Sequence, residues 1–335
     1  MKDKFHKIPV KRRIFVQSNY IDVQGVDIFS YSRKKEKISI YPQSKKLPKL
    51  SPEDLSNIKR EVFEIYKKCS LCPLNCGVNR LSGEKGICGV GPYGKIYKSY
   101  VDWGIEGDLS PSLNLYFSGC NLRCPFCQEI DDMLQVDNGV SIEKIDSISY
   151  YIIKKMEDLN CRTLLFVGGE PTLSLLFSIL VIEKLHYNKF TDIAIALDTN
   201  LYVNRETIPI LEKFVDVFIV DLKFTKSLAE KFLTLYDYWE AVTQNIKYIY
   251  QNKNSILVIR HLVIPGLIEG NTLPIIDWIK ENTPEAFVSI LTTFHPLFRS
   301  KEMGWNRCLS EEERIEVLTY LNRNNLNYVM SEVEI

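Results

Sequence analysis

The chain has 335 residues, of which 45% are hydrophobic, and its 42 basic and 42 acidic side chains give a formal net charge of zero at pH 7. This length is enough to bury one large core with a smaller appendage. A neutral chain has no general electrostatic attraction to nucleic acid or to a membrane surface, so we predict neither kind of partner. The charged N-terminus and the short apolar runs predict a cytoplasmic protein without a membrane span.

The first fifty residues are a local exception to this neutral charge. They carry basic runs at 11–13 and 33–35, and short β-like pieces at 13–16 and 37–41 alternate with polar turns. We interpret the stretch as a solvated basic extension, which is a commoner use of such charge runs than a nucleic-acid-binding arm.

The next predicted element is a helix that leads to a group of cysteines. It begins after Ser51, a good N-cap followed by Pro52 and two acids, and it runs towards Lys67. Glycines, which let the backbone approach a ligand closely, surround the four cysteines that follow, which are Cys69, Cys72, Cys76 and Cys88. Four thiolates fit an auxiliary iron–sulfur cluster or a closed structural zinc site. We therefore predict a metal site here, and the sequence does not decide between iron and zinc. Unligated thiols are the third alternative.

A second group of cysteines comes directly after the first apolar strand, at 113–118. Cys120, Cys124 and Cys127 have three and then two residues between them, which puts three thiols on one short loop. A [4Fe–4S] cluster is usually held by four cysteines, and structural zinc also needs four protein ligands. Three cysteines therefore predict a cubane with one iron left open for another ligand. Three buried structural thiols are the alternative.

From residue 113 onward, short apolar strands alternate with helical patterns. The predicted strands are 113–118, 163–167, 193–197, 217–222, 256–264 and 287–292. The predicted helices are 142–159 with Ser141 as its cap, 173–185, 206–214, 228–249, 272–280 and 311–322. The alternation predicts an α/β fold with a parallel sheet, and six units predict an open, partial (β/α)6 TIM-like barrel. We place this barrel at residues 108–335 and a cysteine-rich N-terminal extension at residues 1–107.

Polar and glycine residues follow the predicted strands at the end where barrel enzymes carry their chemistry. They are Gly168, Gly169, Glu170, Asp198, Thr199, Asn200, Asp221, Lys223, Arg260 and His295. Arg260 is a charge inside an apolar strand and needs a partner there. The alternatives are an ordinary turn at the glycines, a surface ion pair between Asp221 and Lys223, and a core histidine at His295. Because the residues share one end of the sheet, we predict a ligand-binding site.

The three cysteines resemble the CxxxCxxC signature of radical S-adenosyl-L-methionine (SAM) enzymes, and the resemblance runs from residue 100 to the C-terminus. It implies that Cys120, Cys124 and Cys127 hold a [4Fe–4S] cluster whose open iron binds SAM. The cluster then cleaves SAM to methionine and a 5′-deoxyadenosyl radical that abstracts hydrogen from a substrate. The segment of Gly168, Gly169 and Glu170 resembles the GGE motif, which implies a contact with the amino group of SAM.

Two further segments resemble the DTN and DLK motifs of the pyruvate formate-lyase activating enzyme. The resemblance implies that Asp198, Thr199 and Asp221 hold a monovalent cation and that Lys223, Arg260 and His295 lie at SAM. It also implies a flavodoxin or ferredoxin reductant and, as substrate, a glycine of a partner glycyl radical enzyme. Modification of another peptide or a small molecule is one alternative, and a non-catalytic iron–sulfur or zinc protein is the other.

The sequence departs from the activating enzyme at two places. Gln128 and Glu129 stand where that enzyme has His-Asn, and Leu201 replaces a common glycine. These departures leave the cluster prediction intact and bear on the substrate. The segment 69–80 resembles a branch of activating-enzyme-like proteins and differs from a ferredoxin-type insert. Three remaining residues are predicted to be structural, namely Cys161, His261 and Cys308. For Cys308 the alternative is a place at the mouth of the barrel, which the preceding segment 305–307 could reach.

Overall fold

The computed structural model describes residues 50–103 and 109–331, which contain one eight-stranded sheet. Its strands are β1 (Ile96–Asp102), β2 (Ser112–Phe117), β3 (Thr163–Gly168), β4 (Ala194–Thr199), β5 (Val217–Asp221), β6 (Ile256–Leu262), β7 (Phe287–Leu291) and β8 (Tyr328–Ser331). They lie in the sheet in chain order, and only β1 is antiparallel to its neighbour. Within the described ranges β8 is not paired with β1, so the sheet is open and the predicted partial barrel is confirmed.

All six predicted strands are present within two residues of their expected ends, but the sheet is larger than predicted. The strands β1 and β8 were not predicted from the sequence. The predicted β-like pieces at 13–16 and 37–41 lie outside the described residues. The β2 strand is buried at every position, which is typical of a parallel strand covered on both faces.

Helices cover the sheet between the strands. They are α1 (Pro52–Lys67), α2 (Ile130–Met133), α3 (Ile145–Asp158), α4 (Leu175–Tyr187), α5 (Ile208–Leu211), α6 (Lys226–Leu233), α7 (Tyr238–Asn252), α8 (Leu273–Asn282) and α9 (Glu311–Asn324). None of the described helices is long and apolar enough to cross a membrane.

The predicted start of α1 is confirmed. The hydroxyl of Ser51 accepts a hydrogen bond from the backbone N–H of Asp54 at 3.0 Å, and the Asp54 carboxylate accepts from the backbone N–H of Ser51 at 2.8 Å. This reciprocal capping box satisfies two backbone donors that the helix itself leaves without partners. The helix packs on α4, where Lys59 pairs with Glu183 at 2.5 Å.

The predicted cap at Ser141 is wrong. A 3₁₀ turn (Ile142–Lys144) precedes α3, and the Ser141 hydroxyl contacts the Glu143 carboxylate instead of a backbone donor. The prediction of one continuous helix at 228–249 is also wrong, because this stretch forms two separate helices, α6 and α7. Thr234 ends α6 in the left-handed conformation, with φ of 56°.

One apolar core joins the two predicted parts of the chain. It includes Leu55, Ile58 and Val62 of α1, and it extends through the sheet to Leu321 of α9. The β1 strand, which precedes the predicted boundary at residue 107, pairs along its length with β2, which follows it. The described N-terminal residues therefore pack as part of the barrel.

Candidate functional site

The three-cysteine loop, residues 120–127, follows β2 directly. Cys120 and Cys124 are buried, Cys127 is half-buried, and the N–H of Cys127 donates to the Cys124 carbonyl at 3.1 Å. Burial raises the pKa of all three thiols, and with a contribution from the neighbouring Cys127 the pKa of Cys124 reaches about 12. Thiolates at these positions therefore need a positive partner.

Lys223, which follows β5, is that positive partner within the protein. Its charge lowers the pKa of Cys124 and Cys127, although burial raises both by more. Burial also disfavours the charge on Lys223, but Asp221 and Cys124 outweigh this and raise its pKa. The Lys223 Nζ lies 2.6 Å from the Asp221 carboxylate, so a protonated lysine is held beside the cysteines.

Arg260 joins two carboxylates from neighbouring strand ends. Its Nη2 lies 2.5 Å from Oδ1 of Asp198, and its Nε lies 2.5 Å from Oδ1 of Asp221. Burial raises the pKa of Asp221, but Arg260 and Lys223 lower it by more. The register of the sheet places Asp221 opposite Arg260, which is why a charge inside β6 finds its partner. With Lys223, these side chains form a four-charge network of two acids and two bases.

The four-charge network brings together four of the predicted site residues. The Asp221–Lys223 pair forms, but its side chains are only 23% and 15% exposed, and it is continuous with Arg260. The alternative of a simple surface pair is therefore wrong. Arg260 occupies the space between the two carboxylates and supplies the positive charge that they need.

Glu170 links the end of β3 to the end of β4. Its buried carboxylate accepts hydrogen bonds from the Thr172 N–H at 3.1 Å and hydroxyl at 2.7 Å, and from the Thr199 hydroxyl at 2.7 Å and Asn200 N–H at 2.8 Å. Burial raises the pKa of Glu170, and these hydrogen bonds oppose the shift. Glu170 and Thr199 thus fix the strand ends relative to each other.

The two glycines before Glu170 pack against the start of the three-cysteine loop. The N–H of Gly169 donates to the Phe117 carbonyl, and the N–H of Glu170 donates to the Gly119 carbonyl, both at 2.8 Å. A Cβ on Gly169 would lie 2.0 Å from the Gly119 carbonyl oxygen, so only glycine fits there. Gly168 has φ of 117°, which also favours glycine.

Residues 200–204, which we call the linking turn, contact both groups of cysteines. The Asn200 Nδ2 lies 3.7 Å from Cys120 Sγ and donates to Asn121 Oδ1 at 3.0 Å. At the other end, Asn204 Nδ2 donates to the carbonyls of Ser70 at 2.8 Å and Cys72 at 3.2 Å. Leu201, buried between them, has φ of 51°, a conformation that favours glycine.

The four-cysteine segment, residues 69–88, is folded as a compact loop. The N–H of Gly77, next to Cys76, donates to the Cys69 carbonyl at 3.1 Å, and Cys72 lies near enough to Cys69 and Cys88 for their charges to act on it. Burial raises the pKa of Cys72 to about 11. The Arg123 guanidinium of the three-cysteine loop donates to the Ile87 carbonyl at 3.1 Å, so the two cysteine regions are in contact.

Within residues 50–103 and 109–331, no three His, Cys, Asp or Glu side chains lie close enough together to hold a single metal ion. A cubane cluster binds each cysteine through a different iron atom, so its cysteines lie farther apart than the ligands of one ion. The three-cysteine loop fits such a cluster in its donor set, because it offers two buried thiols and one half-buried thiol beside Lys223.

The histidines and the isolated cysteines have mixed outcomes. His261 is buried and lies between the Leu222 carbonyl (2.7 Å) and the Thr272 hydroxyl (3.0 Å), which confirms a structural role. His295 is exposed, which rules out a core histidine, and its Nδ1 lies 3.8 Å from Cys308 Sγ. Cys161 is buried as predicted, whereas Cys308 is exposed, so the packing role predicted for Cys308 is wrong.

The β1 strand contributes a group that the sequence analysis missed. Lys98 Nζ donates to both carboxylate oxygens of Glu129 at 2.8 Å and lies 4.2 Å from the centre of the Tyr116 ring. The Tyr97 hydroxyl donates to Glu129 at 3.2 Å. Tyr116 lies near enough to Asp198 for the Asp198 charge to contribute to the raised pKa of Tyr116. Only the departure at Glu129 pointed towards this group.

The family model described as "Radical SAM superfamily" matches residues 114–279. The uncharacterised protein MJ0674 of Methanocaldococcus jannaschii is 31% identical over 290 residues, which are 82% of this chain and 81% of that protein. The putative glycyl-radical enzyme activating enzyme MJ1227 of the same organism is 27% identical over 200 residues, 59% of this chain and 67% of that protein. A solved domain of the pyruvate-formate lyase-activating enzyme from Bacteroides vulgatus has a TM-score of 0.40 and 20% identity, over 50% of this chain and 98% of that domain.

Proposed function

This chain belongs to the radical SAM superfamily, and we propose that it uses a [4Fe–4S] cluster and SAM to remove a hydrogen atom from a peptide or protein substrate. The observation that carries the proposal is the position of the three-cysteine loop. It lies at the carboxyl end of β2, packed against Gly168, Gly169 and Glu170 and beside Lys223 of the four-charge network. Chemistry in parallel barrels is expected at this end of the strands.

Cys120, Cys124 and Cys127 would hold the cluster, and Lys223 would offset part of the charge of their thiolates. When bound, the cluster supplies the electron that splits SAM into methionine and a 5′-deoxyadenosyl radical. A flavodoxin or ferredoxin is the reductant that we propose for the cluster.

The four-charge network suits a zwitterion such as SAM. Because Asp198, Asp221, Lys223 and Arg260 sum to zero, the site holds donors and acceptors for an ammonium and a carboxylate without a net charge of its own. Glu170 and Thr199 contribute by fixing the ends of β3 and β4. A monovalent cation at Asp198, Thr199 and Asp221 and a SAM contact by His295 remain predictions.

For the substrate, we propose a glycine Cα–H of a partner glycyl radical enzyme, by likeness to MJ1227, a putative glycyl-radical enzyme activating enzyme. One observation favours another peptide or a small molecule instead. Glu129, at a position where the activating enzyme has a different residue, is held by Lys98 and Tyr97 of β1. This polar, tyrosine-rich group next to Asp198 changes the surroundings in which a substrate would lie.

The enzyme proposal is tested by anaerobic reconstitution with iron and sulfide, followed by reduction in the presence of SAM and chromatography of 5′-deoxyadenosine. Wild type should form the nucleoside, and Cys124→Ala should not. Cys161→Ala is the matched control, because it removes a buried thiol remote from the loop and should leave the yield unchanged. Iron-loaded wild type that forms no nucleoside, or an equal yield from Cys124→Ala, would overturn the proposal.

The substrate proposal needs a second measurement. The reduced enzyme is incubated with SAM and a glycyl radical enzyme from the organism that encodes this chain, and electron paramagnetic resonance is recorded. A glycyl radical doublet that requires Cys124 supports activation. Nucleoside formation without that doublet supports the alternative substrate.

A further inference from the structure

Arg80 is a buried charge without a carboxylate partner. Its side chain is only 1% exposed, Nε donates to the Gly91 carbonyl at 2.9 Å, and Nη2 donates to the Leu173 carbonyl at 2.7 Å. The guanidinium carbon lies 4.0 Å from the centre of the Tyr66 ring. Nη1 has no hydrogen-bond partner, and no carboxylate pairs with Arg80 in the part of the chain that the structure describes.

A short turn directs this side chain into the protein. The Asn79 side chain accepts from the N–H groups of Leu81 at 3.1 Å and Ser82 at 3.3 Å, which caps the 3₁₀ turn Arg80–Ser82. The fold therefore specifies the position of Arg80. A buried guanidinium without an anion is unfavourable by several kcal/mol, so an anion is expected nearby.

The groups within reach that can become anions are cysteines. The Cys69 N–H donates at 2.9 Å to the carbonyl of Val78, two residues before Arg80, and Arg80 Nε donates to the carbonyl of Gly91, three residues after Cys88. Gly86 leaves room for the Cys76 thiol, because a Cβ there would lie 2.5 Å from Cys76 Sγ. The Cys72 carbonyl accepts from the Asn75 N–H at 3.0 Å, which closes the turn between Cys72 and Cys76.

We propose that Cys69, Cys72, Cys76 and Cys88 bind a metal centre as four thiolates, and that Arg80 is its internal counter-charge. A [4Fe–4S] core in its oxidised state carries about two positive charges, so four thiolates leave a net charge of about −2. Such a centre gives Arg80 the anion that it lacks. Because no three of these side chains lie close enough together in the described ranges to hold one metal ion, the proposed centre is a cluster and not a zinc ion.

The first experiment measures metal in the full chain with the three-cysteine loop removed, as Cys120→Ala/Cys124→Ala/Cys127→Ala. After anaerobic purification, iron, sulfide and zinc are counted per chain. We expect about four iron with sulfide, and loss of that iron when Cys72→Ala is added. Cys161→Ala in the same background should retain it. A folded background variant, verified by circular dichroism, that holds no iron, or that holds zinc in its place, would overturn the proposal.

The second experiment tests Arg80 itself with Arg80→Met, which keeps the length of the side chain, and Arg80→Lys, which keeps the charge. Arg80→Met should release the metal to a chelator at least about tenfold faster than wild type, and Arg80→Lys should stay within about threefold. Arg60→Met, an exposed arginine of α1, is the control and should match wild type. Arg80→Met should also shift the reduction potential of the centre to more negative values.

The melting temperature separates a counter-charge from a merely structural arginine. Metal-loaded Arg80→Met should melt below wild type, because the anionic centre has lost its counter-charge. Metal-free Arg80→Met should melt at or above metal-free wild type, because the substitution removes an unpaired buried charge. Equal losses with and without metal, or metal retention identical to wild type, would overturn the role of Arg80.

Discussion

The three-cysteine loop and the four-cysteine segment lie in contact, but their charged surroundings are opposite. Beside the three-cysteine loop, Arg260 is shared between Asp198 and Asp221, and Lys223 pairs with Asp221. Beside the four-cysteine segment, Arg80 is more deeply buried and has only carbonyl oxygens as partners. The first arginine is neutralised by the protein, whereas the second is not.

This difference indicates what each region is prepared to receive. A region whose charges already balance is suited to a ligand that carries both signs, such as a zwitterion. A region with an uncompensated buried cation is suited to an occupant that is permanently anionic, such as a metal tetrathiolate. The cysteine count points the same way, since three thiols leave a position for an external ligand and four do not.

The strongest test of this comparison is Arg260→Met. It leaves two carboxylates facing each other in a largely buried place, and we expect a loss of about 3 kcal/mol in the free energy of unfolding and loss of SAM binding. Chemical denaturation and calorimetric titration with SAM measure the two effects. The metal-free Arg80→Met variant is the counterpart and should show no such loss of stability. Equal stability losses at both arginines would break the comparison.

Acid unfolding sharpens the comparison at Asp221. Its pKa is held below the ordinary value of about 3.9, because Arg260 and Lys223 outweigh the effect of burial. Its stabilising contribution is therefore complete above about pH 4 and is lost as the pH falls towards the lower pKa of the folded state. Asp221→Asn should be less stable than wild type at pH 7, and the gap should narrow below pH ~4.

The control for this acid-unfolding experiment is the Arg80→Met variant. No carboxylate pairs with it in the described ranges, so the stability difference between Arg80→Met and wild type should not change with pH between about 3 and 7 in metal-free protein. Urea titrations at a series of pH values measure both differences. A constant gap for Asp221→Asn down to the acid limit would show that Asp221 is not stabilised by its two cations.

A loss of stability of similar size is expected at Leu201, in the linking turn between the two regions. Leu201→Ala should cost about 3 kcal/mol because it empties a fully buried position. Leu201→Gly empties the same position but removes the strain of the left-handed backbone conformation, which costs a non-glycine residue about 1–2 kcal/mol. We therefore expect the glycine variant to be the more stable of the two by about 0.5–1 kcal/mol. An alanine variant that is the more stable would exclude backbone strain at Leu201.

The smallest effect concerns the helix that leads into the four-cysteine segment. Ser51→Ala removes a capping box and should cost about 1 kcal/mol. Ser141→Ala is the matched control, because that hydroxyl caps no backbone donor, and it should change stability by less than about 0.5 kcal/mol. Thermal unfolding compares the two. A loss at Ser141 as large as that at Ser51 would contradict the observed cap geometry.

Much of the barrel was predictable because its strands are short apolar runs with polar residues at one end. The pairing of Asp221 with Arg260 follows once those strands are parallel and neighbouring. The strand β1 was missed because the burial of its side chains does not alternate, and because Lys98 and Tyr100 interrupt its apolar residues. It also lies antiparallel to β2 and so falls outside the repeat of strand and helix. The break at Thr234 was missed because no glycine or proline marks it.

The role of Arg80 was not predictable from the sequence. Its neighbour Asn79 is a typical capping residue, but a charged residue in a loop is normally exposed, and only the folded structure shows burial over Tyr66. The contact of His295 with Cys308 likewise joins residues thirteen positions apart in an exposed segment. Tertiary placement, which local patterns do not encode, decides both.

The linking turn has a consequence for how the protein withstands air. Asn200 steadies the Cys120 side, and four residues later Asn204 holds the backbone beside Cys72. Oxidative damage that displaces the three-cysteine loop or the four-cysteine segment would also displace the linking turn, because both regions are hydrogen-bonded to it. The undamaged region would then lose its contact with the turn. We therefore expect exposure to oxygen to inactivate the two cysteine regions together.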